Sequence, residues 1–135
     1  MLNTIRANAT YDFVDEELVY QWARFFGEAG DKYKDKQENL WQFTFDRIDE
    51  YLDTTMLPIH AGTIKYLKEK GAWKPEHEAR NQELLSLMDE YEEAWIAAIA
   101  EAGDKEIRQL LSNPEWLELW QSYREKLEHF KPLIK

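Results

Sequence analysis

In the C-terminal half of this chain, apolar residues recur at alternating steps of four and three, and this spacing constrains the fold most. One run is Leu84, Met88, Tyr91, Trp95, Ala98 and Ala102. A second run follows the helix start Asn113-Pro114 and comprises Trp116, Trp120, Tyr123, Leu127 and Phe130. Such spacing lines one side of a helix that packs along a neighbour. The two runs predict an antiparallel helical hairpin that buries Trp95, with its last helix continuing to Pro132.

Three further segments of the chain also follow helical spacing. Further helices are predicted at residues 15–30, 45–54 and 61–71. No strand pattern or repeat competes with them, so the sequence predicts an all-α helical bundle. We expect residues 1–12 to form an extended lead-in and residues 13–135 a single helical domain, in which a hairpin extension at 74–135 follows a segment at 13–73.

The composition argues against several classes of partner. The chain has 135 residues, with 27 acidic against 17 basic side chains and a formal net charge of -10. This charge repels phosphate backbones and anionic lipids, so we expect no nucleic acid as partner. No stretch approaches the roughly 18 apolar residues of a membrane helix, so no direct membrane insertion is expected. The N-terminal residues do not resemble a signal peptide.

No catalytic or metal-binding motif stands out. His60, His77 and His129 are not paired at helical metal-site spacing, and Asn81 stands where a zinc-protease motif beginning at His77 needs its second histidine. We expect His77 to be an exposed first-turn residue. The chain has no cysteine and no glycine-rich phosphate loop or serine elbow. The sequence therefore predicts a protein that is not an enzyme and has no metal and no cofactor.

The six tryptophans are the unusual part of the composition. Burial in the hairpin explains Trp95, Trp116 and Trp120 better than contact with a ligand does. Burial is also the better explanation for Trp22, which lies on the apolar face of the first helix. Trp41 and Trp73 lie near segment ends, where core packing and an interface or ligand role are equally consistent with the sequence.

The stretch from Leu57 to Trp73, LPIHAGTIKYLKEKGAW, resembles a known family signature. The signature is Pro-x-His-x-Gly-Ala-x-x-Tyr-x-x-Glu-x-Gly, near the C-terminus of the TAXI-type solute receptors of TRAP transporters, with Thr63 in place of its alanine. Upstream, Asp15-Glu16-Glu17-Leu18-Val19-Tyr20 and the aromatic-rich helix that follows are similar to the segment preceding the signature in those receptors. The resemblance covers residues 10–75.

The resemblance implies a function in uptake. TAXI-type receptors are similar to two-lobed periplasmic proteins that bind small organic or amino acids and deliver them to membrane subunits. This chain lacks the two lobes, so the resemblance implies a non-enzymatic C-terminal helical segment that braces the receptor or contacts the membrane subunits. His60 is a candidate for orienting a carboxylate ligand at a helix N-terminus. The alternative is that His60 fixes its turn by bonding to nearby backbone.

The second hypothesis is an autonomous helical protein-interaction domain that dimerises. The first helix carries Leu18, Val19, Trp22, Phe25 and Phe26, which is more apolar surface than one hairpin covers. We therefore expect a homodimer, related by a two-fold axis or by exchange of that helix. The interface candidates are Trp22, Phe25, Phe26, Trp41 and Trp73. The chain is expected to be periplasmic as part of an exported receptor and cytoplasmic if autonomous.

Overall fold

The computed structural model of this protein describes residues 11–33, 35–36 and 45–131. Regular structure there consists of α1 (Glu16–Tyr33), a 3₁₀ turn (Phe45–Arg47), α2 (Ile48–Thr54), α3 (Ala61–Glu69), α4 (Pro75–Asp104) and α5 (Pro114–Arg124). None of the described residues forms a strand. The predicted all-α fold is confirmed.

The described residues form two compact units. Of the described residues, the first unit comprises 11–33, 35–36, 45–55 and 59–78, and the second comprises 56–58 and 79–131. The boundary between them falls inside α4, after its first turn. The predicted boundary at residue 73 lies just before this helix.

The first unit is organised around the aromatic ring of Tyr66 on α3. Tyr66 is buried, as are its neighbour Leu67 and Leu52 of α2. The edges of two further rings meet Tyr66, with centroids 5.8 Å away for Phe45 and 6.4 Å for Tyr20. Because such edge-to-face pairs stabilise beyond their buried area, this ring links α1, the 3₁₀ turn and α3.

The second unit contains the helical hairpin. Its buried centre consists of Ala98 and Ala102 on α4 and Trp116 on α5. Farther from the turn, the ring of Tyr91 lies 5.2 Å from that of Phe130, which follows α5 in the chain. Contacts therefore run in opposite directions along the two segments, as they do in an antiparallel pair.

Two predictions about the hairpin are wrong. Trp95 is 41% exposed, and the buried tryptophan is Trp116, at 3%. The ring of Trp95 is perpendicular to those of Trp116 and Trp120, at 5.3 and 5.0 Å, so it covers them from one side and is not enclosed. The last helix ends at Arg124, well before Pro132.

The early end of α5 has a local cause in its hydrogen bonds. The amides of Lys126 and Leu127 bond to carbonyls three residues back, those of Tyr123 and Arg124, at 3.2 and 3.1 Å. Such bonds tighten the last turn and stop the helix from propagating.

Candidate functional site

One face of α1 packs on α3 at very short range. Gly62, in the first turn of α3, lies directly against the backbone of Glu16 and Tyr20. Farther along, Gly27 faces the ring of Tyr66. Because neither glycine carries a side chain, the two helices approach more closely than larger residues allow. We call this packed side the inner face of α1.

Ion pairs and hydrogen bonds reinforce the contact between α1 and α3. The Lys65 ammonium lies 2.7 Å from a Glu17 carboxylate oxygen, and the Tyr20 hydroxyl donates to Glu69 at 2.6 Å. The bond from Lys65 is the main reason that the pKa of Glu17 lies below its ordinary 4.5. The bond to Glu69 raises the pKa of Tyr20 above 10.0. These groups bridge the two helices in solvent, and α3 thus fixes the position of α1.

The opposite side of α1 is apolar and exposed to solvent. The exposed fractions are 54% for Leu18, 59% for Trp22, 65% for Phe25 and 46% for Phe26. We call these four residues the outer face of α1. The Phe26 ring is edge-on to the rings of Trp22 and Phe25, with centroids 6.4 and 5.4 Å apart. The three rings of the outer face therefore form one continuous aromatic surface.

Helical geometry explains why these side chains are exposed. Leu18, Trp22 and Phe25 follow one another at steps of four and three, so they share one side of α1. The inner face, with Gly27, lies on the other side and is occupied by α3. Residues that precede the helix are exposed too: Tyr11 and Phe13 stack with centroids 5.1 Å apart. The expectation that burial within one chain explains Trp22 is wrong.

His60 holds its turn through the backbone. Its Nδ1 accepts from the amide of Gly62 at 3.1 Å and thereby caps α3. Its Nε2 lies 3.1 Å from the carbonyl oxygen of Val14, just before α1. With Nδ1 as acceptor, Nε2 carries the proton and donates it. Both ring nitrogens thus bond to backbone atoms. This is the arrangement expected if His60 fixes its turn and does not orient a carboxylate ligand.

The aromatic candidates outside α1 differ in their surroundings. Trp73 is half-buried, and its Nε1 donates to Glu78 at 2.8 Å. Its ring lies 5.6 Å from that of His77. These contacts fit a packing role at the start of α4. Trp41 lies outside the described residues.

His77 is buried, contrary to the expectation of an exposed first-turn residue. Its Nδ1 accepts from the amide of Lys74 at 3.2 Å, and its Nε2 lies 3.7 Å from Asp53 of α2. The ring of Trp73 also packs beside that of His77, with centroids 5.6 Å apart. His77 thus serves as a link between α4 and α2.

A shallow depression lies on α5 in the second unit. Its volume is about 430 Å³, and its lining residues are Leu117, Glu118, Gln121, Ser122 and Glu125. These positions belong to one side of a single helix. A groove without an opposing wall does not enclose a small molecule, so the outer face of α1 remains the stronger candidate site.

The described residues show neither a metal-binding cluster nor a membrane-spanning helix. In the described part of the chain, no group of three or more histidine, aspartate or glutamate side chains could hold a metal ion. Of the helices in those same ranges, none is long and apolar enough to cross a bilayer. Comparisons with protein-family models, curated proteins and solved structures found no match. The resemblance to TAXI-type receptors therefore stays a prediction.

Sequence reasoning underestimated part of this surface. Tyr11 lies within the predicted extended lead-in at residues 1–12, and Phe13 is the first residue of the predicted helical domain at 13–135. A signal was present, because two large aromatic residues separated by a single position directly precede an aromatic-rich helix. Their shared exposure extends the apolar character of this end of the first unit.

Proposed function

We propose that this chain is a non-enzymatic protein-interaction module that binds its partner through the outer face of α1. The observation that carries the proposal is the joint exposure of Trp22, Phe25 and Phe26 in one ring cluster. Single exposed apolar residues are normal on protein surfaces, whereas contiguous aromatic patches are typical of interaction sites.

The way in which α1 is held supports the same function. Gly62, His60 and the Lys65–Glu17 pair attach the helix to α3 through its other side. A partner that meets the outer face therefore finds a helix already in place. Binding then loses little conformational entropy, which improves affinity for a given contact area.

The charged groups of α1 lie away from its outer face. Arg24 and Glu28 form an exposed ion pair 3.0 Å apart, and Lys70 lies 3.7 Å from Glu28, so this pair is on the side of α1 towards α3. Binding through the outer face removes aromatic rings from water and leaves this pair hydrated, where charges cost little. Trp22 is the expected energetic centre, because tryptophan is enriched among the residues that dominate binding energy.

Photo-crosslinking in cells that produce the chain tests this function. Replacing Phe25 with benzoylphenylalanine should give a discrete adduct whose partner is identified by mass spectrometry. The matched control is the same replacement at Ile96 of α4, which is 59% exposed, as is Trp22. Equal adducts at both positions, or an adduct only at Ile96, would contradict the proposal.

A second candidate keeps the resemblance to TAXI-type receptors. What supports it is that His60 and Gly62, two signature positions, join α1 to α3, the two segments that the resemblance spans. In this candidate the outer face braces a solute receptor or contacts TRAP membrane subunits, and the chain is periplasmic. As an autonomous module it is cytoplasmic. Photo-crosslinking from Phe25 to a receptor lobe or a membrane subunit would favour the receptor function.

A further inference from the structure

We infer that the partner of the outer face is α1 of a second copy of this chain, packed antiparallel about a two-fold axis. This inference rests on the proposed function and names the partner for the same surface. It is drawn from the spacing, size and charge of residues along α1.

Spacing provides the first argument. Leu18, Trp22, Phe25 and Ala29 follow at steps of four, three and four, which is the pattern of a helix that packs along another helix. The inner face already packs on α3, so α1 has a second packing seam. The first three of these side chains are exposed and Ala29 is partly buried. In the described residues, α1 thus has a helix-pairing seam whose three large side chains face solvent.

Complementary sizes provide the second argument. A two-fold axis that crosses α1 between Ala23 and Arg24 sets Leu18 opposite Ala29 of the second copy. The same axis sets Trp22 opposite Phe25 of the second copy, so the two largest rings meet near the centre. Large residues then face small ones at both ends, which is how packed helices fill space between them. The surface is thus complementary to itself, as a two-fold interface requires.

Charge provides the third argument. The same axis sets Asp15, the N-cap of α1, opposite Lys32 in its last turn, and it does so twice. Asp15 accepts from the amide of Leu18 at 3.0 Å through one oxygen, and a carboxylate can accept further bonds. A parallel pair would instead bring Asp15 beside Asp15 of the second copy. Charge therefore favours the antiparallel direction, although the chain as a whole carries a net charge of -10. That charge is screened beyond about 8 Å at physiological salt.

The exposed area sets the strength of pairing. An aromatic side chain buries roughly 150–250 Å², and about half of each ring on the outer face is exposed, so three rings and Leu18 offer roughly 300–450 Å². A standard interface buries about 800 Å² per partner. The pair is therefore weak and reversible. Its detection needs protein concentrations up to roughly 1 mM, where weak complexes become populated.

Disulfide exchange tests both partner and direction, because the chain has no native cysteine. Single variants Leu18→Cys and Ala29→Cys are equilibrated in a glutathione buffer, alone and mixed. We expect several-fold more disulfide dimer in the mixture than in either variant alone. Abundant Leu18→Cys dimers without the partner variant would indicate parallel pairing and overturn the inference.

Sedimentation equilibrium supplies an independent measurement. Wild type should show a mass that rises with concentration, Trp22→Asp should stay monomeric, and Ile96→Asp should behave as wild type. A monomeric wild type overturns self-pairing. If Phe25 still crosslinks to another protein in cells, the interaction function survives that result. Iodide quenching of tryptophan fluorescence, compared between wild type and Trp22→Phe, reports whether Trp22 is accessible to solvent. If monomeric wild type and Trp22→Phe are quenched by the same amount, Trp22 is covered within the chain and both proposals fail.

Discussion

A Cβ atom added to Gly62 would stand 2.3 Å from the carbonyl oxygen of Glu16, because α1 and α3 meet there backbone to backbone. We expect Gly62→Ala to lower the free energy of unfolding by about 1–3 kcal/mol, since backbone atoms yield little. The control is Gly103→Ala, where nothing lies within 4 Å and a gain of up to about 1 kcal/mol is expected. Urea denaturation compares the two. Similar values would show that the helices do not touch at Gly62.

His60 makes two backbone bonds that substitution can separate. Asparagine keeps an acceptor where the Nδ1 of His60 caps Gly62, but it does not reach the carbonyl of Val14. We expect His60→Asn to cost about 1 kcal/mol and His60→Ala to cost about 2, because each net hydrogen bond or cap contributes about 1 kcal/mol. Thermal unfolding measures both. Equal losses would mean that the cap on Gly62 contributes nothing, and an unchanged stability of His60→Asn would mean the same for the bond to Val14.

The ion pair between Glu17 and Lys65 should make the free energy of unfolding depend on pH. The pKa of Glu17 is lowered in the folded state, chiefly by the bond from Lys65. Its contribution is therefore present above the ordinary value of 4.5 and is lost as the pH falls through the folded pKa. We expect Glu17→Gln to be less stable than wild type at pH 7 and equally stable well below pH 4.5. Urea denaturation between those limits measures this difference. With Lys65→Met as background, the difference at pH 7 should shrink. A difference in the wild-type background that persists well below pH 4.5 would contradict the pairing.

Two helix ends form a matched experiment. After α3, Gly71 has a φ of 69°, and the amide of Ala72 bonds to the carbonyl of Leu67. After α4, Glu106 has a φ of 56°, and the amide of Ile107 bonds in the same way to Ala102. Left-handed backbone favours glycine by about 1 kcal/mol.

We therefore expect opposite effects from exchanging the residues at these two ends. Glu106→Gly should raise the midpoint of thermal unfolding, and Gly71→Ala should lower it. The exposed side chain of Glu106 has little packing to lose. A loss of stability in Glu106→Gly would show that Glu106 contributes contacts which outweigh its backbone cost.

The loss of stability on substituting a hairpin tryptophan should increase with the burial of its side chain. Trp116 is enclosed with Ala98 and Ala102, whereas Trp95 covers the cluster from outside. We expect Trp116→Ala to cost about 3–5 kcal/mol, the usual figure for a buried aromatic, and Trp95→Ala clearly less. Chemical denaturation of both variants gives the ranking. A larger loss of stability in Trp95→Ala than in Trp116→Ala would show that the core of the hairpin is centred on Trp95.

Sequence periodicity predicted which segments are helical, because capping residues and apolar spacing are properties of neighbouring residues in the chain. Asn113 and Pro114 mark the start of α5, and Asn113 does accept from the amide of Glu115 at 3.2 Å. The depth of burial was not predictable in the same way. Trp95 and Trp116 both occupy seam positions, and which ring is enclosed depends on the small residues of the other helix.

The candidate surface illustrates the same limit. The apolar spacing of Leu18, Trp22 and Phe25 identified a packing face, but the spacing does not say whether that face is covered within the chain. The deciding residues are Gly27 and Gly62, whose lack of side chains lets α3 occupy the other side of α1. Glycine in a helix usually indicates weak propensity, so its role in close approach is evident only when the neighbouring helix is known.

The distance along the chain between α1 and α3 has a consequence during synthesis. The bond from Tyr20 to Glu69 joins residues 49 positions apart, whereas Trp95 and Trp120 of the hairpin are much closer in sequence. A nascent α1 therefore leaves the ribosome long before the helix that covers its inner face. In that interval both of its faces are open, and its aromatic residues are available to chaperones that hold exposed apolar segments. During that interval, protection of α1 depends on such chaperones and not on α3.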